Sequence, residues 1–162
     1  MNVTIRTAEY NDLPEIVRLL AADAITGKRE IYSEPLLPAY YDAFEEISLD
    51  KNNELIVAEL DGAIVGTLQL TFIPNITLRG GKRALVEAVF VDEQCRGQGI
   101  GKMLMEWAIE RARQMDCRMI QLTTNKERPG AERFYKSLGF VNSHEGMKRQ
   151  LQPKRTYPTH SS

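Results

Sequence analysis

The chain of 162 residues is poor in the side chains that build metal and covalent centres: it has two cysteines, two histidines and one tryptophan. Cys95 and Cys117 fit neither a zinc-ligand spacing nor a C-x-x-C redox pair, and both read as reduced thiols. His144 and His160 lie far along the chain, in contexts that offer no partner to a nucleophilic cysteine, so neither a metal nor a covalent cysteine intermediate is expected. An excess of one charge is also missing. Lys and Arg number 21 against 22 Asp and Glu, for a formal net charge of -1, which argues against general affinity for nucleic acid or an anionic membrane surface. Apolar runs are short and interrupted, and Met1 to Arg6 has no apolar signal core; a cytoplasmic location is expected, with no membrane span. Repeats, low-complexity segments and interdomain linkers are absent too. One domain over residues 1–152 followed by a flexible tail, 153–162, is the expected organisation.

What is present alternates between strand and helix signals. Val3 and Ile5 suit a first strand, and Asn11 or Asp12 then caps a helix with Pro14 in its first turn and an apolar stripe of Ile16, Val17, Leu19 and Leu20, ended or loosened at Gly27. A second helical stretch, residues 34–49, sets Tyr40, Tyr41, Phe44 and Ile47 on one face. Its other face carries Asp42, Glu45 and Glu46, either as a solvated surface or as an attraction for a cationic amine. Residues 54–60 and 63–72 are β-rich and flank Asp61-Gly62, a tight hairpin signal. A fourth strand runs from about Lys82 to Val91 and makes a meander with these two.

Residues 84–108 organise the rest: an apolar strand, a polar turn with Gly97, Gly99 and Gly101, then a helix with Ile100, Leu104, Trp107, Ala108 and Ala112 on one face and Glu106, Glu110, Arg111 and Arg113 outward. Glycines let backbone approach a ligand closely, and a helix start presents unpaired N–H groups and a positive dipole end, which together suit phosphate. Arg96 and Lys102 add positive charge. The spacing excludes a Walker loop, because only three residues separate Gly97 from Gly101 and Met103 replaces the hydroxyl residue. It also excludes a dinucleotide fingerprint, since the glycines read G-x-G-x-G. Beyond the helix, residues 117–123 read as a strand in a right-handed βαβ unit, 129–138 as a short helix stopped by Gly139, and Phe140-Val141 and Met147 to Leu151 as terminal strands.

Arg96-Gly97-Gln98-Gly99-Ile100-Gly101, directly after a strand, resembles the acetyl-CoA pyrophosphate signature of the GNAT N-acetyltransferase superfamily. A second segment strengthens the likeness: Leu122-Thr123-Thr124-Asn125 followed by Phe134-Tyr135-Lys136-Ser137-Leu138-Gly139-Phe140 is similar to that family's ending. The likeness spans nearly the whole chain and is narrower, around residues 123–139, to small-molecule amine acetyltransferases such as the aminoalkylphosphonate N-acetyltransferases. It implies an α/β fold with a mixed, mostly antiparallel sheet of about six to seven strands, about four flanking helices and a splayed parallel pair at the cofactor.

The same resemblance implies the site. Backbone of Val89, Phe90 and Val91 would meet the pantetheine arm and polarise the thioester. Arg96, Gly97, Gln98, Gly99, Ile100, Gly101 and Lys102 would hold the pyrophosphate, with Asn125 and Phe134 lining the arm. Glu87 interrupts an apolar strand and is the candidate base, directly or through water; the alternatives are an ion pair with a nearby Arg or simple exposure. Tyr135 matches the family's usual acid for the departing thiolate. The implied reaction is direct acetyl transfer from acetyl-CoA to a primary amine, and the competing reading is a catalytically silent acyl-CoA-binding regulator. Similar proteins commonly form homodimers. Arg79, Lys82 and Arg83 read as solvated loop charges, a nucleic-acid contact or a holder for an anionic group on the acceptor.

Overall fold

At the hairpin, Asp61 (φ 50°) and Gly62 (φ 85°) are both left-handed, the geometry whose twist matches two antiparallel strands. The computed structural model describes residues 2–151. Its strands are β1 (Val3–Thr7), β2 (Asn53–Leu60), β3 (Ala63–Pro74), β4 (Lys82–Val91) and β5 (Cys117–Leu122). They lie in one sheet in the order β1-β2-β3-β4-β5, antiparallel up to β4 and parallel between β4 and β5.

Helices α1 (Leu13–Ala22) and α2 (Pro38–Leu49) cover one face. A single turn, α3 (Thr77–Gly80), joins β3 to β4; α4 (Ile100–Gln114) crosses the other face, and α5 (Ala131–Ser137) follows β5. The alternation in β3 decides which face is which. Leu68, Leu70 and Phe72 are buried with Ile56, Val86, Ile100, Leu104, Met105, Ala108 and Ala112 under α4. Thr67, Gln69 and Thr71 therefore point to the α1 side, where Ile16, Val57 and Ile64 pack together and Leu13, Val17 and Leu36 meet Tyr32, Tyr40, Tyr41 and Phe44. Burying a side chain such as Leu104 contributes about 1.5–3 kcal/mol of transfer free energy.

Several expectations change. The described residues form five strands rather than six or seven: Phe140-Val141 and Met147 to Leu151 pair with nothing, and Val141, Met147 and Leu151 are 82%, 97% and 84% exposed. Strand-forming composition is not enough without a neighbouring edge to complete the ladder. The first helix ends at Ala22, before Gly27, because Asp23 turns the chain by accepting the N–H groups of Ile25 and Thr26. Arg111 does not face outward; its Nε donates to both Glu54 oxygens (2.5 and 3.1 Å), tying α4 to β2. Pro129 precedes α5, whose N-cap is the left-handed Gly130. The expected tail, 153–162, lies outside the described residues. Among the described residues no helix is long and apolar enough to cross a membrane.

Candidate functional site

The site begins with a break in the ladder. Gln69 pairs with Glu87 and Thr67 with Phe90, so Leu68 alone stands opposite two residues, Ala88 and Val89. This is a β-bulge, and Ala88 carries its strain at φ 52°, a left-handed conformation that costs a residue with a Cβ roughly 1–2 kcal/mol. The extra residue shifts the alternation. Val86, Val89 and Val91 all pack toward the α4 core, whereas Glu87 and Phe90 take the register positions of Gln69 and Thr67 on the α1 face. The bulge also re-aims the strand: β4 pairs with β5 only from Lys82 to Val86. Among the described residues the edge of β4 has no neighbouring strand past Val86, which is the splay expected of the parallel pair.

The glycine turn follows at once. Asp92 accepts the N–H of Gln94 at 3.0 Å and starts the turn. Gly97 (φ 79°) and Gly99 (φ 82°) are left-handed, and an added Cβ at either would meet nothing within 4 Å, so conformation rather than crowding calls for glycine. Gly99 caps α4 without a side chain, and the first helical bond runs from the Met103 N–H to the Gly99 carbonyl at 3.0 Å. The N–H groups of Ile100, Gly101 and Lys102 thus open toward the turn. The Ile100 side chain itself is buried in the core. Arg96 folds back over the turn, its Nε 3.4 Å from the Val91 carbonyl, while Lys102 lies 3.8 Å from Glu106. Gln98 is exposed.

From the other side, α5 brings aromatics. An added Cβ at Gly101 would be 3.5 Å from Phe134 and 3.8 Å from Val91, so Phe134 closes on the helix start. The Tyr135 ring lies 5.1 Å from Phe134 and 5.9 Å from Phe140. Burial pushes the Tyr135 phenol up, and the charge of Arg128 pulls it partly back. Its hydroxyl makes no hydrogen bond among the described residues. The Asn125 carbonyl oxygen accepts the Glu127 N–H at 2.8 Å, an ordinary turn role that leaves its NH2 group available. Glu87 is exposed and forms no ion pair among the described residues, so exposure, not pairing, is the structural alternative that is realised. Beside it, Gln69 and Thr71 both donate to Asn53 Oδ1, at 3.2 and 2.9 Å, a polar strip that alternation in β3 makes legible.

Sequence reading missed Asp23. Its carboxylate, 6% exposed, binds Arg128 through two hydrogen bonds of 3.1 and 2.8 Å. Burial pushes that carboxyl up, but Arg128 and the N–H groups of Thr26 and Ile25 outweigh it and hold it well below the usual carboxylate range. Arg128 also donates to Thr26 Oγ1 at 3.1 Å and stands 5.1 Å over the Phe90 ring, and Arg96 approaches Asp23 to 3.8 Å. One carboxylate thus joins the end of α1, the loop before α5 and the glycine turn.

A strand that splays from its parallel neighbour and runs into a glycine-capped helix is the arrangement that the motifs implied, and comparison with known proteins agrees. The profile of the acetyltransferase (GNAT) family matches residues 20–140. The chain belongs to the GNAT acetyltransferase family. Enzymes of this family take the acetyl group from acetyl-CoA. Among relatives, an uncharacterized N-acetyltransferase of Methanocaldococcus jannaschii is 31% identical over 85% of this chain, which spans 60% of that protein's length. The aminoalkylphosphonate N-acetyltransferase of Salmonella typhimurium is 34% identical over 65% of this chain and 68% of its own. A crystal structure from Bacillus halodurans C-125, described as a transcriptional regulator, is 53% identical with a TM-score of 0.91, covering 93% of this chain and all of that one.

Proposed function

We propose that this GNAT protein transfers acetyl from acetyl-CoA directly to a primary amine of a small molecule or peptide, with Glu87 as base and Tyr135 as acid. One observation carries the reading: the edge of β4 beyond the bulge, free among the described residues, with the exposed carboxylate of Glu87, unpaired among them, at its start and the glycine-capped helix at its end. Backbone of Val89, Phe90 and Val91 offers strand-like pairing to the pantetheine amides and an N–H to the thioester carbonyl. The turn from Arg96 to Lys102 takes the pyrophosphate, while Asn125 and Phe134 bound the arm.

Glu87, directly or through a water, removes one proton from the ammonium; the amine nitrogen then attacks the thioester carbon, and as the carbonyl re-forms the carbon–sulfur bond breaks and the nitrogen gives up its second proton to solvent, leaving the neutral amide. Tyr135 returns a proton to the thiolate. No metal takes part. Residues 1–152 act as one domain, in the cytoplasm and as a homodimer; the two unbridged cysteines suit a reducing compartment.

The acceptor we favour pairs its amine with an anionic group. Arg83 shares the α1 face of β4 with Glu87; its Nη1 donates to Asn75 Oδ1 at 2.8 Å while its Nε is buried without a partner among the described residues. Arg79 and Arg118 line a neighbouring cavity of about 270 Å³. The aminoalkylphosphonate specificity in the name of the Salmonella relative supports the same class.

The test is an acceptor panel of amines with and without phosphonate or carboxylate, read as thiol release from acetyl-CoA. Any productive acceptor is then assayed with Glu87→Gln, for which kcat should fall about 10²–10⁴-fold with acetyl-CoA affinity kept; unchanged turnover would refute the base assignment. A second reading rests on the Bacillus halodurans structure's description as a transcriptional regulator: an acyl-CoA-binding regulator without turnover. Acetyl-CoA binding with no acceptor-dependent thiol release across the panel would favour it.

A further inference from the structure

The α1 face of the sheet is covered unevenly. Helices α1 and α2 lie chiefly over β2 and β3, and the β4–β5 end of that face is open among the described residues: Glu87 and Gln121 are exposed, Leu85 is half-buried and Met119 is 44% exposed. Register lines these side chains up. Arg83, Leu85 and Glu87 alternate with Ala84 and Val86, which are buried under α4, and Met119 and Gln121 stand beside Arg83 and Leu85 in the parallel pair. The open strip is therefore a trough with a carboxylate at one end, Leu85 and Met119 along it and a guanidinium at the other end.

The guanidinium end is firmly built. Arg83 reaches away from Glu87: its Nη1 donates to Asn75 Oδ1 at 2.8 Å, and Asn75, past the end of β3, is itself fixed by donating to the Ile73 and Gly81 carbonyls at 2.9 and 3.4 Å. Arg83 Nε is buried with no partner among the described residues, a donor left short of an acceptor. Two more cations are held nearby. Lys82 pairs with Cys117 and Arg83 with Met119, so Arg118 is an extra residue in β5. It crosses Gly81, where an added Cβ would sit 2.5 Å from its Cγ, and with Leu78 and Arg79 it lines the cavity of about 270 Å³. Arg79 is placed there by a left-handed run, Leu78 and Arg79 at φ 55° and Gly80 at φ 73°, and strain of this kind clusters at ligand sites. None of Arg79, Arg83 and Arg118 forms an ion pair among the described residues.

We propose that the acceptor is a long, linear ω-amino acid, with its ammonium at Glu87, its alkyl chain along Leu85 and Met119, and its terminal carboxylate or phosphonate at Arg83, where Arg79 and Arg118 add positive charge. Spacing sets the length. Arg83 to Glu87 pairs with Ile73 to Gln69 without a break in register, so the two Cα atoms lie roughly 13 Å apart along the strand, and the outward course of the Arg83 side chain lengthens the gap. An aminoethyl anion is too short to touch both ends. The inference rests on the acetyl-transfer reading with Glu87 as base, and it adds a length and an apolar middle to that acceptor.

The test compares ω-amino carboxylates and ω-aminoalkylphosphonates with spacers of about two to about ten carbons, the longest matching the strand distance, beside alkylamines of the same lengths, read as thiol release from acetyl-CoA. The kcat/KM of the anionic series should rise about two- to fourfold per added carbon until the chain spans the trough, with KM carrying the gain, and should exceed that of the alkylamines only at the long end. Arg83→Gln should lower kcat/KM for the long anionic acceptors about 10–100-fold and bring them to the level of the alkylamines, and Arg83→Lys should restore part of the loss. A flat length profile, or one that peaks at the shortest members, would overturn the proposal and leave the base assignment standing. Turnover of other amines but of no anionic member would overturn it as well, and release with no amine at all would overturn the acetyl-transfer reading together with it. The length profile of the unaltered chain decides the matter even if Arg83→Gln does not fold.

Discussion

Asp23 is the residue on which the site's long-range geometry converges, and its electrostatics fix a sign. Its carboxyl is held below its usual range in the folded chain, so it binds fewer protons folded than unfolded near the acid range. The stability it contributes is present above the unfolded carboxylate value of about 3.9 and is lost as pH falls through the folded one. Asp23→Asn should therefore destabilise the protein at pH 7 by about 1–3 kcal/mol, since it leaves Arg128 half-paired, and the gap to the unaltered chain should close in the acid range as its own Asp23 protonates; thermal melts across that range measure it. A gap independent of pH would mean that the pairing is not ionic. Tyr135 gives the complementary case. Burial raises its phenol, so it keeps its proton through the neutral range, as a donor to a thiolate must. Tyr135→Phe is expected to lower kcat by about 10²–10⁴-fold while acetyl-CoA affinity stays within a few-fold, and steady-state kinetics with direct cofactor titration separate the two.

Among elements, the strand, turn and helix from β4 to α4 separate two uses of glycine. Gly99→Ala places a Cβ on a left-handed residue in open space, so its cost is conformational, about 1–2 kcal/mol in urea unfolding. Gly101→Ala meets only ordinary contact with Phe134 inside a helix, where alanine gains up to about 1 kcal/mol over glycine. Its stability should hold or rise, while acetyl-CoA binding, read by calorimetry, should weaken if phosphate packs on that position. The hairpin, the glycine turn and the extents of β4 and α4 were legible because local signals define them: Asp-Gly, a glycine cluster, and apolar periods of two and 3.6. The bulge was not. Ala88 is an unmarked residue at a left-handed position, and its only trace is the unbroken run Ala88-Val89-Phe90-Val91, where a regular strand would alternate. Arg111 was misplaced by helical periodicity because its length, not its angle on the helix, lets it reach Glu54. The contact between Asp23 and Arg128 has no local signal, since the two lie 105 residues apart. The terminal strands failed for a further reason: β propensity describes a segment, whereas a strand also needs a partner.

For the molecule as a whole, each strand of the sheet lies beside its successor in sequence, and this order bears on how the protein acquires its site in time. The β2–β3 and β3–β4 pairings close short loops, which cost little entropy and form early; the β2–β3 hairpin needs only two linking residues. The tie from Arg128 to Asp23 closes a loop spanning most of the described chain, and α5 with Phe134 and Tyr135 lies beyond it. During refolding followed by pulsed hydrogen exchange, amides of β2 and β3 should gain protection before those of α5, and acetyl-CoA should stay unbound until the later phase. Simultaneous protection of both would contradict this order. On the ribosome the same geometry separates scaffold from site: the strands β2 to β4 emerge and can pair while Tyr135, the proposed proton donor, is still unmade, so a chain halted before residue 128 would carry the sheet but lack α5 and the proposed acid.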